Sequence, residues 1–458
     1  MLPQHNKRRR FFSFPTRVIC ASFLMVTTCG TLLLMLPFSS RSGEATHFFD
    51  ALFTATSATC VTGLVVFDTY TYWSPVGQTI ILALIQIGGL GLITITTFFN
   101  VLIRRKLGFK GMQLAQESIN TNSVEEIGRL IKTVMAVSFS VEAAGALLLS
   151  IAFVPKYGSE GWFLSLFLAV SAYCNAGFDL LGREAPFISL CGYNGFPLVL
   201  LTLSALIIIG GLGFLVFADL GAFRRRRHLT LHSKLVLSIT GILLLFGTLC
   251  YLVFEWSNPR TMGQLPVWQR FLAAFFQSVT TRTAGFNSLD YAAMHDITKV
   301  FTIFLMFIGA APGSTGGGIK VTTAAVLAMT VISVVRGYSD TVIMKRKISK
   351  QTVYKSLAII LLALAAICLA TGVIAFTTHS AGITFSGIDA FFESTSAFAT
   401  VGLSVGISGA ANVPSRLILI LTMFMGRVGP ISLLLSLAMR ENPALKTTVL
   451  PEGQIMVG

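Results

Sequence analysis

Four short stretches carry the residues with the clearest chemistry: Cys60-Val61-Thr62-Gly63, Cys174-Asn175-Ala176-Gly177, Arg282-Thr283-Ala284-Gly285 and Ala399-Thr400-Val401-Gly402. Aligned on their glycines, all four have a phenylalanine ten residues upstream, at Phe53, Phe167, Phe275 and Phe392. Ser57, Ser171 and Ser396 stand six upstream, where the third stretch has Val279. The shared feature is neither a nucleophile nor a metal-binding side chain but a glycine that follows a short apolar run. Only glycine adopts positive φ freely enough to keep successive backbone carbonyls facing one axis. Carbonyls gathered there, at the C-terminal ends of short helices whose negative dipole ends point inward, favour a cation. A helix C-cap explains a glycine in any single loop. It does not explain why four loops share the surrounding pattern.

The elements that must position these loops are membrane helices. Of the 458 residues 54% are hydrophobic and 12% charged, which would leave a soluble chain with far too much apolar surface in water. Apolar runs long enough to cross roughly 30 Å of hydrocarbon predict eight spans, near 16–37, 76–103, 129–154, 196–223, 234–256, 298–336, 353–378 and 415–439. The first is expected to be a retained helix, since its apolar run is too long for a cleaved signal peptide and no small-residue site closes it. Between the members of each pair lies a segment too short to cross, near 47–58, 161–173, 267–280 and 386–397, expected to be re-entrant. The predicted fold is an all-α polytopic membrane protein of four M1-P-M2 repeats, eight transmembrane helices plus four re-entrant pore helices around a central pore in one chain. The repeats span 16–110, 129–223, 234–336 and 353–440, with 1–15 and 441–458 as cytoplasmic ends.

The net charge of +15 resides in the gaps between apolar runs rather than on a soluble nucleic-acid-binding domain. The predicted termini and linkers between repeats hold 24 of the 34 basic residues, and the opposite loops hold seven. The positive-inside rule therefore puts both termini in the cytoplasm. The clusters Arg224–Arg227 and Lys345–Lys347 could attract anionic lipid or an acidic partner, although topology anchoring already accounts for them. The stretch from Arg104 to Glu126 suits an amphipathic surface helix, a docking site or a solvated loop. The seven cysteines show no disulfide or zinc framework.

Control elements break the fourfold pattern. Pro312, Gly313, Ser314, Thr315, Gly316, Gly317, Gly318 and Lys320 interrupt the long third-repeat run, and no helix keeps its geometry through such a stretch. At membrane depth it must line a cavity and reads as a gate. The matching stretches Gly88-Gly89-Leu90-Gly91 and Gly210-Gly211-Leu212-Gly213 are accounted for by close helix packing. Arg427 occupies the place of Gly89 and Gly211, so it should face the pore beneath the loops. There it would supply an electrostatic barrier, hold the gate by its carbonyls, or pair with Glu142, Asp219 or Glu255. Arg282 should point behind the loops and pair with Glu142 or Asp50. Asp179, Asn287 and Ser404, two residues past their glycines, should line the outer mouth.

These loops, TCVTG, CNAG, RTAG and ATVG, make the chain resemble the Ktr/Trk/HKT superfamily of potassium transporters, most closely the bacterial Ktr-type membrane subunit. The resemblance covers nearly the whole chain. It implies that residues 60–63, 174–177, 282–285 and 399–402 form a potassium-selective filter, four glycines going with potassium over sodium, and that the 312–320 loop obstructs the pore. It also implies a homodimer seated on a cytosolic ring of nucleotide-binding RCK-type regulatory subunits. No cofactor belongs to this chain itself; potassium, with or without sodium, is the substrate, and the nucleotide sits on the partner. The expected location is the cytoplasmic membrane. A less selective sodium and potassium channel is the alternative reading. An intramembrane enzyme is the rival from another class, but no catalytic constellation occurs at depth, since His47, His228, His232, His295 and His379 fall at helix ends or loops.

Overall fold

The computed structural model describes residues 15–91, 94–95, 127–380 and 385–437. Both chain ends and the stretch from Arg104 to Glu126 lie outside the described residues. The first quarter folds as α1 (Pro15–Leu34), α2 (Phe48–Cys60) and α3 (Pro75–Leu90). Next come α4 (Ile127–Tyr157), α5 (Glu160–Tyr173), α6 (Pro197–Leu212) and α7 (Phe214–Arg226). The third quarter comprises α8 (Leu231–Glu255), α9 (Val267–Thr280), α10 (Asp296–Phe307) and α11 (Val321–Val335). A hairpin of β1 (Val342–Ile343) and β2 (Arg346–Lys347) leads to α12 (Lys350–Ser380), α13 (Gly387–Ala399), α14 (Val413–Val428) and α15 (Pro430–Leu437). One-turn helices in the loops are left unnumbered.

Among the described residues α1, α4, α8 and α12 are long and apolar enough to cross a membrane. They carry exposed Leu, Ile, Val and Phe side chains outward, as a helix in hydrocarbon does. Each precedes one of the short helices α2, α5, α9 and α13, which are 13 or 14 residues long and largely buried. At 1.5 Å per residue such a helix reaches only about 20 Å. Ser386 begins α13 with a capping box, its hydroxyl accepting from Asp389 N while the Asp389 carboxylate accepts from Ser386 N.

The short helices are held in cyclic order. Helix α3 packs on α5, α6 on α9, α10 on α13, and α14 returns to α2. This closure brings the C-terminal ends of four short helices together, which gives the glycine loops their common position.

The second helices differ from the expectation of continuous spans at 76–103, 196–223 and 415–439. Helix α3 stops at Gly91, α6 at Gly213 and α14 at Gly429, with φ of 81°, 88° and 92° and ψ of 132°, 146° and 136°. No other residue enters that region readily. Between α6 and α7 the chain bends by 94°. Close packing accounts for the first glycine of each stretch. A methyl built on Gly88, Gly210 or Gly426 would lie 2.1, 1.9 or 1.7 Å from the Thr59, Tyr173 or Phe398 carbonyl oxygen. The last glycine is a helix break.

Candidate functional site

Each glycine loop begins where a short helix ends. Two residues before the glycine the backbone is left-handed, at Val61 (φ 57°), Asn175 (59°), Thr283 (68°) and Thr400 (50°). Three of these are β-branched, for which this region is a genuine outlier, with a strain of order 1–3 kcal/mol each. The geometry is held by amides that fold back onto the helix. Thr62 N donates to Ser57 O at 2.8 Å, Ala176 N to Ser171 O at 2.7 Å, Ala284 N to Thr280 O at 3.0 Å and Val401 N to Ser396 O at 2.8 Å. Hydroxyls complete the brace. Ser57 and Ser396 accept from the amides of Gly63 and Gly402, each at 3.1 Å. Ser171 donates to Phe178 O at 2.7 Å, and where the third loop has Val279, Thr280 takes over by donating to Phe286 O at 2.7 Å.

The four glycines then meet in a ring. A methyl built on Gly63 would lie 2.5 Å from Ala176 O and 3.1 Å from Gly177 Cα, and one on Gly177 would lie 2.7 Å from Ala284 O and 2.8 Å from Gly285 Cα. One on Gly285 would reach Val401 O at 2.5 Å, and one on Gly402 would reach Thr62 O at 2.0 Å and Gly63 Cα at 2.9 Å. Every glycine thus abuts the carbonyl that precedes its neighbour's glycine, and the fourth abuts the first. The hydroxyls of Thr59, Thr62 and Thr400 are buried without a protein partner. Oxygen atoms lacking donors, backed by left-handed turns, make a site that suits a cation.

The side chains of the loops lie elsewhere. Cys60 and Cys174 are buried, and Cys174 Sγ lies 3.8 Å from Gln86 Oε1 and 3.9 Å from Glu142 Oε1. Arg282 does point away from the ring, yet neither Glu142 nor Asp50 receives it. Its guanidinium donates to Thr240 O at 3.4 Å and Gly309 O at 3.5 Å. Gly309 follows the end of α10, where carbonyls lose their intrahelical partners and attract a cation. Asp50 is instead paired with Arg416, and Glu142 accepts two hydrogen bonds from Gln86, at 3.0 and 3.2 Å.

Below the ring runs the 308–320 loop. Gly316 and Gly317 sit against the third and fourth loops, since methyls built there would lie 2.2 Å from Thr283 Oγ1 and 2.3 Å from Thr400 Oγ1. The loop is strapped to the broken ends of the second helices: Ala311 N donates to Gly211 O at 3.0 Å, Phe214 N to Gly313 O at 2.8 Å and Gly318 N to Gly426 O at 3.2 Å. Thr315 Oγ1 donates to Tyr173 O at 3.0 Å, and Lys320 Nζ folds back to Gly316 O at 2.7 Å. Arg427 donates to Thr315 O, to Gly88 O at 2.5 Å and to Gly89 O at 3.2 Å. The acids considered as its partners are engaged elsewhere, Asp219 with Thr230 and Glu255 with Asn258, Thr261 and Thr298.

Cavities lie on both sides. The outer one, of about 290 Å³, is floored by the four glycines and lined by Asp179, Asn287 and Ser404, as their spacing suggested. Asp68 and Asp290 line it too. Both stand five residues after their glycines, an offset that alignment on the glycines makes visible. The inner cavity, of about 1280 Å³, is bounded by Gly91, Pro312, Ser314, Lys320 and Arg427.

The membrane-length helices of this chain agree with what it is similar to. Residues 2–446 match the family described as TrkH, cation transport protein. The chain belongs to the TrkH family. It is therefore a member of a family of transporters rather than of enzymes. A Bacillus subtilis relative, Ktr system potassium uptake protein B, is 41% identical, with 100% of both chains covered. An Enterococcus hirae relative, potassium/sodium uptake protein NtpJ, is 38% identical over 99% of each chain. The crystal structure of the potassium transporter TrkH from Vibrio parahaemolyticus, 19% identical, covers 93% of this chain and 84% of its own, with a TM-score of 0.70, and shares the TrkH-family fold.

Proposed function

We propose that this chain takes up potassium across the cytoplasmic membrane through a filter made by residues 60–63, 174–177, 282–285 and 399–402. The observation that carries the reading is the closed contact ring, in which each of Gly63, Gly177, Gly285 and Gly402 abuts a carbonyl of the next loop. Carbonyls so arranged replace a cation's hydration shell. The four quarters are M1-P-M2 repeats, with α2, α5, α9 and α13 as pore helices and repeat boundaries at 16–110, 129–223, 234–336 and 353–440. Residues Pro312 to Gly318 and Lys320 form the gate, and Arg427 keeps it shut through Thr315 O. The distribution of basic residues supports cytoplasmic termini.

Relatives named as parts of a Ktr system support a multi-component assembly, proposed here to be a homodimer on a cytosolic ring of RCK-type regulatory subunits. The nucleotide belongs to that ring, with no cofactor in this chain. The Enterococcus hirae relative's name supports sodium as co-substrate or second permeant ion. Proteoliposomes holding the chain should accumulate rubidium tracer under an inside-negative potential. Absence of uptake from correctly oriented, folded protein would overturn the reading.

A further inference from the structure

One basic surface takes no part in the conduction path. Helix α11 exposes Val331, Val334 and Val335, the last 80% exposed, and α12 exposes Leu357 and Leu361. Aliphatic surface of this kind on membrane helices faces hydrocarbon. Toward the connecting segment each helix meets an exposed tyrosine beside an exposed basic residue, Tyr338 at 57% with Arg336 just beyond α11 and Tyr354 at 67% with Lys355 in α12. Tyrosine concentrates where hydrocarbon gives way to headgroups. Between the two tyrosines stands the β1–β2 hairpin, with Lys345, Arg346 and Lys347 exposed, flanked by exposed Arg336 and Lys350. An aliphatic surface that gives way to a mixed aromatic and basic band follows a leaflet from its hydrocarbon to its headgroups.

The hairpin is fixed rather than trailing. Ile343 is buried, Val342 N donates to Ser333 Oγ at 3.2 Å, Thr341 and Thr330 share a hydrogen bond of 2.9 Å, and Ile348 N donates to Thr341 O at 2.9 Å. Its two-residue turn is Met344-Lys345, with φ of 46° and 64°. A turn with positive φ at both central positions favours Asn-Gly. Methionine and lysine held there, at an exposed tip, carry strain of the sort that marks functional positions. Lys347 pairs with Asp340 at 2.6 Å, whereas no ion pair among the described residues takes Arg336, Lys345, Arg346 or Lys350.

We propose that this hairpin docks onto anionic phospholipid headgroups of the adjoining leaflet, with Met344 and the two tyrosines at the hydrocarbon boundary and Lys345, Arg346 and Lys350 on the phosphates. The aromatic pair favours lipid over an acidic protein, which would meet the charges without reaching the depth of the tyrosines. The proposal rests on the cytoplasmic placement of the linkers given above. Its readout uses no ion flux, so it holds or fails independently of the transport reading.

The test is native mass spectrometry of the full chain in detergent, titrated with phosphatidylglycerol or phosphatidylcholine. Wild type should retain phosphatidylglycerol preferentially. Each basic residue near an anionic surface contributes about a factor of five, so Lys345→Gln/Arg346→Gln/Lys350→Gln should weaken the hairpin's share of that binding on the order of a hundredfold. Lys345→Arg/Lys350→Arg should keep it, and elution of both variants as monodisperse protein separates lost binding from lost folding. Unchanged phosphatidylglycerol retention in the triple glutamine variant would overturn the proposal. So would a triple variant that keeps the lipid but no longer captures the regulatory ring, which would make the hairpin a protein-docking surface.

Discussion

Lys299 Nζ on α10 lies 2.8 Å from Asp389 Oδ1 in the first turn of α13, with side chains only 8% and 14% exposed. The same relationship recurs at equivalent positions. Arg416 on α14 pairs with Asp50 on α2, and both acids stand thirteen residues before the glycines of their loops. At the other two junctions Leu164 and Leu272 take the acid's place, opposite Gln78 and Leu200. The two junctions that flank the fourth quarter are therefore ionic, and the other two are not.

Removing Lys299 leaves the half-buried Asp389 carboxylate without its cation. Lys299→Met should lower stability by about 1.5–3 kcal/mol, with part of the loss recovered in Lys299→Met/Asp389→Leu. Thermal unfolding in detergent measures both. If the single variant melts with wild type, the pair is dispensable.

Gly402 has no room for a side chain, because its Cβ would lie 2.0 Å from Thr62 O. Serine there must displace the carbonyl and strain a φ of 88°. Gly402→Ser and Gly63→Ser should therefore raise sodium permeation relative to potassium by roughly tenfold, which is about 1.4 kcal/mol. Tracer competition between rubidium and sodium reads this ratio, and unchanged selectivity would count against a four-loop filter.

Arg427 joins the 308–320 loop at Thr315 O to the end of α3 at Gly88 O and Gly89 O. Hydrogen bonds to a charged group contribute about 1.5–3 kcal/mol each. Arg427→Gln should raise resting flux on the order of tenfold or more, and deletion of Gly313–Gly317 should remove gating outright. A folded Arg427→Gln protein with wild-type resting flux would show that the loop is held shut by its other contacts.

Asp179 lies beyond the membrane helices, in the outer cavity. Burial, with a smaller push from the nearby Asp68 carboxylate, raises its carboxyl to about 6 against the opposing hydrogen bonds from Leu181 N and Ser189. Because the shift is upward, the carboxyl becomes neutral as the outside pH falls through about 6. Uptake from dilute potassium should fall across that range. Asp179→Asn should have low uptake above pH 6 and lose the step. A step that persists in this variant would assign it to another group.

Much of the site was legible because its signals are residue types at fixed offsets. The glycine register located the loops, and the Pro-Gly-Ser-Thr-Gly-Gly-Gly stretch could not be helical. Asp179, Asn287 and Ser404 followed from the same alignment. Glycine's backbone freedom and proline's missing donor are local properties, readable one residue at a time.

What the sequence by itself determined was the membrane class, the four matched loops and the one interrupted helix. Tertiary structure decided which atoms meet. Arg282 finds carbonyl oxygens where a carboxylate was expected, and of the roles open to Arg427 it is the bond to a carbonyl of the 308–320 loop that forms. The glycines at 91, 213 and 429 end helices that hydropathy alone would have carried through. The physical reason is that a carbonyl belongs to every residue, and only a helix that stops leaves it free. An acceptor created by backbone geometry has no residue type to announce it, and its partner can stand more than three hundred residues away, as Arg427 does from Gly88.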